Sequence, residues 1–416
     1  MSQLPTTRRE FLHHSGAGIG LLAFSSFAPA FLVNSARGAA PAPERDRSIL
    51  VLVQLAGGND GLNTVVPYTD DNYYRLRPNL GLKHLDLLPI SDHLALHPAC
   101  GELHDLFHDG RLSVVQNVGY PNPNRSHFRS SEIWETATDA DEYSDTGWLG
   151  RYLDNSCDGT GETDQPAALH VSAETPQAFN AERVHSVFGM RPDGGGNRRG
   201  NRNRRMDPLE LMAAFADPDG ARHSNQNFLQ QTTMNALVTE RKVGEGIGAY
   251  RPEARYPTNG FARSLQNVAA MIAAGFSTRV YFVSLGGFDT HANQANAHQN
   301  LLRTLSQGLS AFQSDLTAHG LQDQVLTATF SEFGRRPAEN QSGGTDHGTA
   351  APLFVMGAGL KNPLVGTSPN LDLPEQQADL DHTTDFRSVY ATLLDRWLEA
   401  DADTVLGQKF EQLPFI

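Results

Sequence analysis

A chain of 416 residues with 39% apolar composition can bury a large core, and an α/β enzyme of this length need not be divided into several domains. Its net charge of −14 argues against a nucleic-acid surface, which needs clustered Lys and Arg. Cys100 and Cys157 stand apart without Cys-x-x-Cys spacing, so a thiolate metal site is not expected, and spacing alone does not establish a disulfide between them.

The chain opens on Thr7-Arg8-Arg9-Glu10-Phe11-Leu12, followed by an apolar stretch over residues 16–33 and small residues at Ala36 and Gly38. This pattern predicts a twin-arginine export signal over residues 1–39, cleaved near Gly38-Ala39, and hence a periplasmic or secreted protein handled by the twin-arginine translocation machinery. Ser25, Ser26 and Pro29 interrupt the apolar run, and no later stretch is long enough to span a bilayer, so no stable transmembrane segment is expected after processing. The route carries folded proteins, which suits a protein loaded with metal in the cytoplasm.

After a Pro- and charge-rich linker (residues 40–47), the continuous apolar run 49–55 predicts a strand buried on both faces, ending in the turn Ala56-Gly57-Gly58-Asn59-Asp60-Gly61. Helical spacing predicts a helix over 97–110, stopped by Gly110, and a strand over 112–118 follows. The next loop delivers Ser126-His127 to the start of a helix through Glu135. Residues 139–257 are poor in strand signals and are expected to hold loops, helices and insertions. Within them, the Gly/Asn/Arg stretch at about 193–206 cannot bury apolar area and reads as a mobile surface loop. Alternation then resumes: helix 265–274, strand 280–285, helix 295–318, strand 325–330, strand 353–356, and a closing helix 384–398. The pattern predicts one domain over 40–416, built as a doubly wound, mostly parallel central sheet with helices on both faces.

In such sheets ligands sit outside the carboxyl ends of the strands, and Asp60, Ser126, Asp289, His291, Glu332 and His347 all fall in loops next to predicted strands. A mixed Asp, Glu and His set suits one or two divalent ions, with Zn, Mn or another transition ion ahead of Ca or Mg. Ser126 at a helix N-terminus would meet free N–H groups that favour an anionic substrate, which makes it the candidate nucleophile for phosphoryl or sulfuryl transfer. Each residue has a plainer role open to it. Asp60 could be a turn residue, Ser126 a helix cap, Glu332 a partner of Arg335 or Arg336, and Asp346-His347 a turn. Asn59, His127, Asp346, Arg335, His298 and His382 are read as additional or supporting residues of the same site.

The order of loops resembles the alkaline-phosphatase superfamily, and the chain resembles most its twin-arginine-exported branch, the DUF1501 proteins. The resemblance runs through Gly57-Gly58-Asn59-Asp60-Gly61, Asn124-Arg125-Ser126-His127-Phe128, Gly287-Phe288-Asp289-Thr290-His291, Ser331-Glu332-Phe333-Gly334-Arg335 and Thr345-Asp346-His347-Gly348. It implies an alkaline-phosphatase-like fold, with Asp60 as a ligand shared with the nucleophile Ser126, Asp289 and His291 as ligands of another metal, and His347 completing that second site. Glu332 stands where an Asp-His pair usually begins, and Phe333 replaces the imidazole. The x-Pro-x-Arg that follows a sulfatase nucleophile is absent at Ser126-His127-Phe128-Arg129-Ser130, so formylglycine chemistry is not implied. Together these features predict an exported metal-dependent hydrolase of small or polymeric phosphate or sulfate esters. The alternative is a non-catalytic periplasmic binding or assembly protein with a degenerate metal site. A third option is a polysaccharide-active enzyme in which residues 198–205 guide an acidic polymer.

Overall fold

The apolar run at the head of the mature chain forms β1, Ile49–Ala56, in the middle of a nine-stranded sheet. The computed structural model describes residues 47–156, 165–191 and 239–416. A small antiparallel sheet of β2 (Val65–Val66), β3 (Leu88–Pro89) and β4 (Ala95–Leu96) lies off the main one. The remaining strands of the main sheet are β5 (Leu112–Gly119), β6 (Ala168–Val171), β7 (Val187–Met190), β8 (Val280–Gly286), β9 (Val325–Phe330), β10 (Ala351–Met356), β11 (Leu364–Val365) and β12 (Thr384–Asp385). Their order is β11-β5-β10-β9-β1-β8-β6-β7, with β12 also paired to β5. All neighbours are parallel except β10, which runs antiparallel to both β5 and β9.

Strand periodicity explains the layers. Ile49, Val51, Val53 and Leu55 face one core with the helices Gly101–His108, Gly260–Ala273 and Gln294–Ala318. Leu50 and Leu52 face the other, with His127–Thr136, Trp148–Ser156 and Phe386–Thr392. Both faces of β1 are thus dry, and each of its fully buried Val, Leu or Ile side chains contributes about 1.5–3 kcal/mol by leaving water. The doubly wound, mostly parallel architecture is the one the alternation predicts.

Three local expectations change. Residues 139–257 are richer in strands than their composition suggests, because β6 and β7 come from this stretch and extend the sheet beyond β8. The expected helix over 97–110 begins only at Gly101, since residues 97–100 form a turn in which His97 Nδ1 accepts from the Ala99 amide at 2.9 Å. The expected helix 384–398 opens instead as β12, with Asp385 capping the Arg387 amide at 2.9 Å, and it loosens into a π turn at Leu393–Trp397. The export signal, the 193–206 stretch and Cys157 lie outside the described residues; Cys100 is a buried free thiol. Among the described residues no helix is long and apolar enough to cross a membrane.

Candidate metal centre

Parallel pairing of β1, β8 and β9 brings three strand ends, and so three loops, to one edge: residues 57–60, 287–291 and 331–335. Because β10 is antiparallel, the loop before it reaches the same edge and delivers His347, which bridges to Arg335. The loop after β5 arrives beside it, because Val118 pairs with Ala351. Close approach of the first two loops requires Gly57. Its φ is +118°, and a Cβ there would lie 2.4 Å from the Asp289 amide nitrogen. Gly57→Ala should therefore push the Asp289 loop outward, destabilising the fold by about 1–3 kcal/mol and weakening ion binding about tenfold. Calorimetric titration with Mn(II) would show unchanged affinity if the close approach had no role in holding the site.

Asp289 stands at the centre. Its Oδ1 lies 3.0 Å from His291 Nε2 and 3.0 Å from His347 Nε2, and its Oδ2 lies 3.5 Å from His127 Nε2. The far nitrogen of every ring is tied down. His127 Nδ1 meets Glu332 Oε1 at 2.9 Å, His291 Nδ1 meets Asp346 Oδ1 at 3.5 Å, and His347 Nδ1 meets the Arg125 carbonyl at 2.8 Å. Glu332 Oε1 also accepts the Gly57 amide, and a backbone carbonyl can only accept, so the outer Nδ1 atoms of His127 and His347 face acceptors. The Nε2 atoms of the three rings all face the one carboxylate of Asp289. Anchoring of the outer ring nitrogen is the usual support of a metal-ligating histidine. His127, Asp289 and His347 offer ligand atoms within 4.8 Å of one another, and this nitrogen and oxygen donor set fits a divalent transition ion.

Burial pushes the Asp289 carboxyl up, but hydrogen bonds from Arg335 and His347 and the Arg335 charge outweigh it and hold Asp289 well below the usual carboxylate range. Asp346 is also held low, chiefly by its hydrogen bond from Asn340. Arg335, 1% exposed, ties the loops together. It donates to Asp289 Oδ1 at 2.6 Å, to the carbonyls of Gly58 (2.8 Å), Thr345 (3.0 Å) and Phe288 (3.1 Å), and to that of Gly57.

The other expected residues fall in several places. Asp60 is not in the cluster. It is fully buried, paired with Arg77 at 2.7 Å, caps the Asn63 amide at 3.4 Å, and accepts a hydrogen bond from Gln294. Desolvation raises its pKa, yet the Arg77 charge and the hydrogen bonds from Arg77 and Gln294 pull it below the ordinary value. Glu332 contacts the Nδ1 of His127, and His127, expected as a supporting residue, is one of three residues that could hold an ion. Ser126 is exposed at the head of the His127–Thr136 helix, and its side chain makes no capping bond. His382 lies over Gly119 at the end of β5. Asn59 is buried, accepting from Thr64 at 3.1 Å and contacting His298 Nε2 at 3.0 Å. Arg77 and Gln294 carried no motif, and a lone arginine between Leu76 and Pro78 gives no signal of its buried partner.

His298 and His97 are both buried, and burial lowers each to about 4. The unfolded chain takes up these protons below about pH 6.5, whereas the folded one does not until near pH 4. This stability is complete above pH 6.5 and declines as pH falls through that window. Urea midpoints are expected to drop between pH 7 and pH 5, and His298→Gln should flatten the slope. A midpoint constant over that range would show that these histidines are not buried neutral.

The family described as "Protein of unknown function (DUF1501)" matches residues 47–407. No curated protein matches the sequence. Among solved structures, the chain is similar to a protein in the alkaline phosphatase superfamily from Vibrio parahaemolyticus (10% identity, TM-score 0.37, 88% of this chain and 71% of that one). It is also similar to the PsFucS1 sulfatase from Pseudoalteromonas sp. (10%, TM-score 0.38, 92% and 72%). A third is BT1596, a 2-O GAG sulfatase (9%, TM-score 0.40, 87% and 75%).

Proposed function

The chain belongs to the DUF1501 family, and from the chemistry of its site we propose that it is an exported, metal-dependent hydrolase of phosphate or sulfate esters with Ser126 as nucleophile. The observation that carries this reading is the convergence of three Nδ1-anchored imidazoles on Asp289, one of which, His127, follows the exposed Ser126 in the chain. Ser126 sits between two residues of the cluster's frame: the Arg125 carbonyl holds His347, and His127 is itself a ligand candidate.

His127, Asp289 and His347 would hold a divalent ion, with His291 beside them. Such an ion supplies positive charge that polarises an ester oxygen and favours ionisation of a nearby hydroxyl. Glu332, Asp346 and the Arg125 carbonyl keep the rings aimed. Ser126 Oγ attacks phosphorus or sulfur in line, its proton passes to solvent, and the alcohol leaves on the opposite side. Water then releases the group from the serine. The free N–H groups of the His127–Thr136 helix start favour the anionic substrate at this position.

Glu332-Phe333 suggested a degenerate site, but the pair has work in this geometry. Glu332 fixes His127, and the Phe333 ring packs at 4.9 Å from His127 and 4.5 Å from His347. The test is turnover of 4-nitrophenyl phosphate and 4-nitrophenyl sulfate by metal-loaded protein. Chelator-sensitive release of nitrophenol from either supports the proposal; stoichiometric metal with no turnover of any ester would favour a binding protein. Export is tested separately: a reporter behind residues 1–39 should leave the cytoplasm, and Arg8→Lys with Arg9→Lys should retain it.

A further inference from the structure

Resting on the metal site proposed above, we infer that Arg77 and Arg335 are fixed cations standing in for a second ion, so that the site is built to hold one divalent ion. The first observation is the state of Asp60. Its carboxylate is fully buried, and both oxygens are engaged: Oδ1 by the Asn63 amide at 3.4 Å, Oδ2 by Arg77 at 2.7 Å and by Gln294. Arg77 is equally committed, donating to Asn63 Oδ1 at 2.7 Å and to the carbonyls of Pro337 (2.8 Å) and Arg336 (3.1 Å). For Asp60 to ligate an ion, Arg77 would have to be left unpaired in a dry interior, a strongly unfavourable change.

The second observation is independent and concerns Arg335. Arg335 Nη2 sits 2.6 Å from Asp289 Oδ1, and Nη1 sits 3.4 Å from His291 Nε2. Its buried guanidinium thus already contacts two of the groups that a further ion would need. A guanidinium at such a place cannot lose its proton and leave the position neutral.

Charge agrees with this count. The carboxylates of Asp60 and Asp289 pair with the guanidiniums of Arg77 and Arg335, while those of Glu332 and Asp346 meet His127 and His291. Four negative groups against two positive ones leave a deficit that a single divalent ion meets.

The experiment uses the mature chain, stripped with chelator and titrated with Mn(II), read by elemental analysis and by electron paramagnetic resonance. One ion per chain, with the hyperfine spectrum of an isolated Mn(II), is expected. Asp60→Asn with Arg77→Gln, which removes both charges and keeps hydrogen-bonding groups, should leave the stoichiometry unchanged and the affinity within about threefold. Two ions with a spin-coupled spectrum in the parent protein would overturn this inference while leaving the metal site standing. So would loss of the ion in the folded double variant. No bound ion in the folded parent would overturn the metal site itself, and with it this inference. The parent measurement decides the matter even if the double variant fails to fold.

Discussion

Ser126→Ala is expected to lower kcat on a phosphate or sulfate ester by about a thousandfold or more, the scale of losing a covalent nucleophile. Ion binding and the unfolding midpoint should stay near those of the parent, because the Ser126 side chain makes no capping bond and is exposed. That separation distinguishes a nucleophile from a helix cap, whose loss would cost about 1 kcal/mol of stability. Rapid quenching of the parent with substrate should trap a phosphorylated or sulfated peptide containing Ser126. Full turnover by Ser126→Ala would remove the serine from the mechanism and leave activated water as the attacking group.

Arg77→Met should have the largest effect on stability. Arg77 and Asp60 are both fully buried, so removing the guanidinium strands a carboxylate and removes the donor to Asn63 Oδ1 and to two carbonyls. Breaking such a pair from one side costs about 3–5 kcal/mol, whereas removing both charges together costs far less. Urea denaturation should show a large fall for Arg77→Met and a partial recovery when Asp60→Asn is added. Equal losses in the single and double variants would mean that Arg77 matters through its backbone contacts and not through its charge.

Much of the architecture was legible because the strands that build its centre are continuous apolar runs. Residues 49–55, 280–285 and 325–330 could be buried only as two-sided strands, and β1, β8 and β9 follow them closely. β6 and β7 were not legible, since four-residue strands such as Ala168–Val171 carry too few alternations to stand out from a polar stretch. In the site, Asp289, His291 and His347 were legible from their positions after or before buried strands. His127 was harder to rank because a histidine at a helix start carries no periodic signal; only the geometry shows its Nδ1 fixed by Glu332. Asp60 showed the opposite failure. An acid after Gly-Gly at a strand end looks like a ligand until a distant arginine is found against it, and a pairing between Asp60 and Arg77 is a property of tertiary packing.

The most direct test of the metal centre is anomalous diffraction from crystals of the protein loaded with Mn or Zn. A single anomalous peak within bonding distance of His127 Nε2, Asp289 and His347 Nε2 is the expected result. A peak at Asp60, or none in fully loaded crystals, would contradict it.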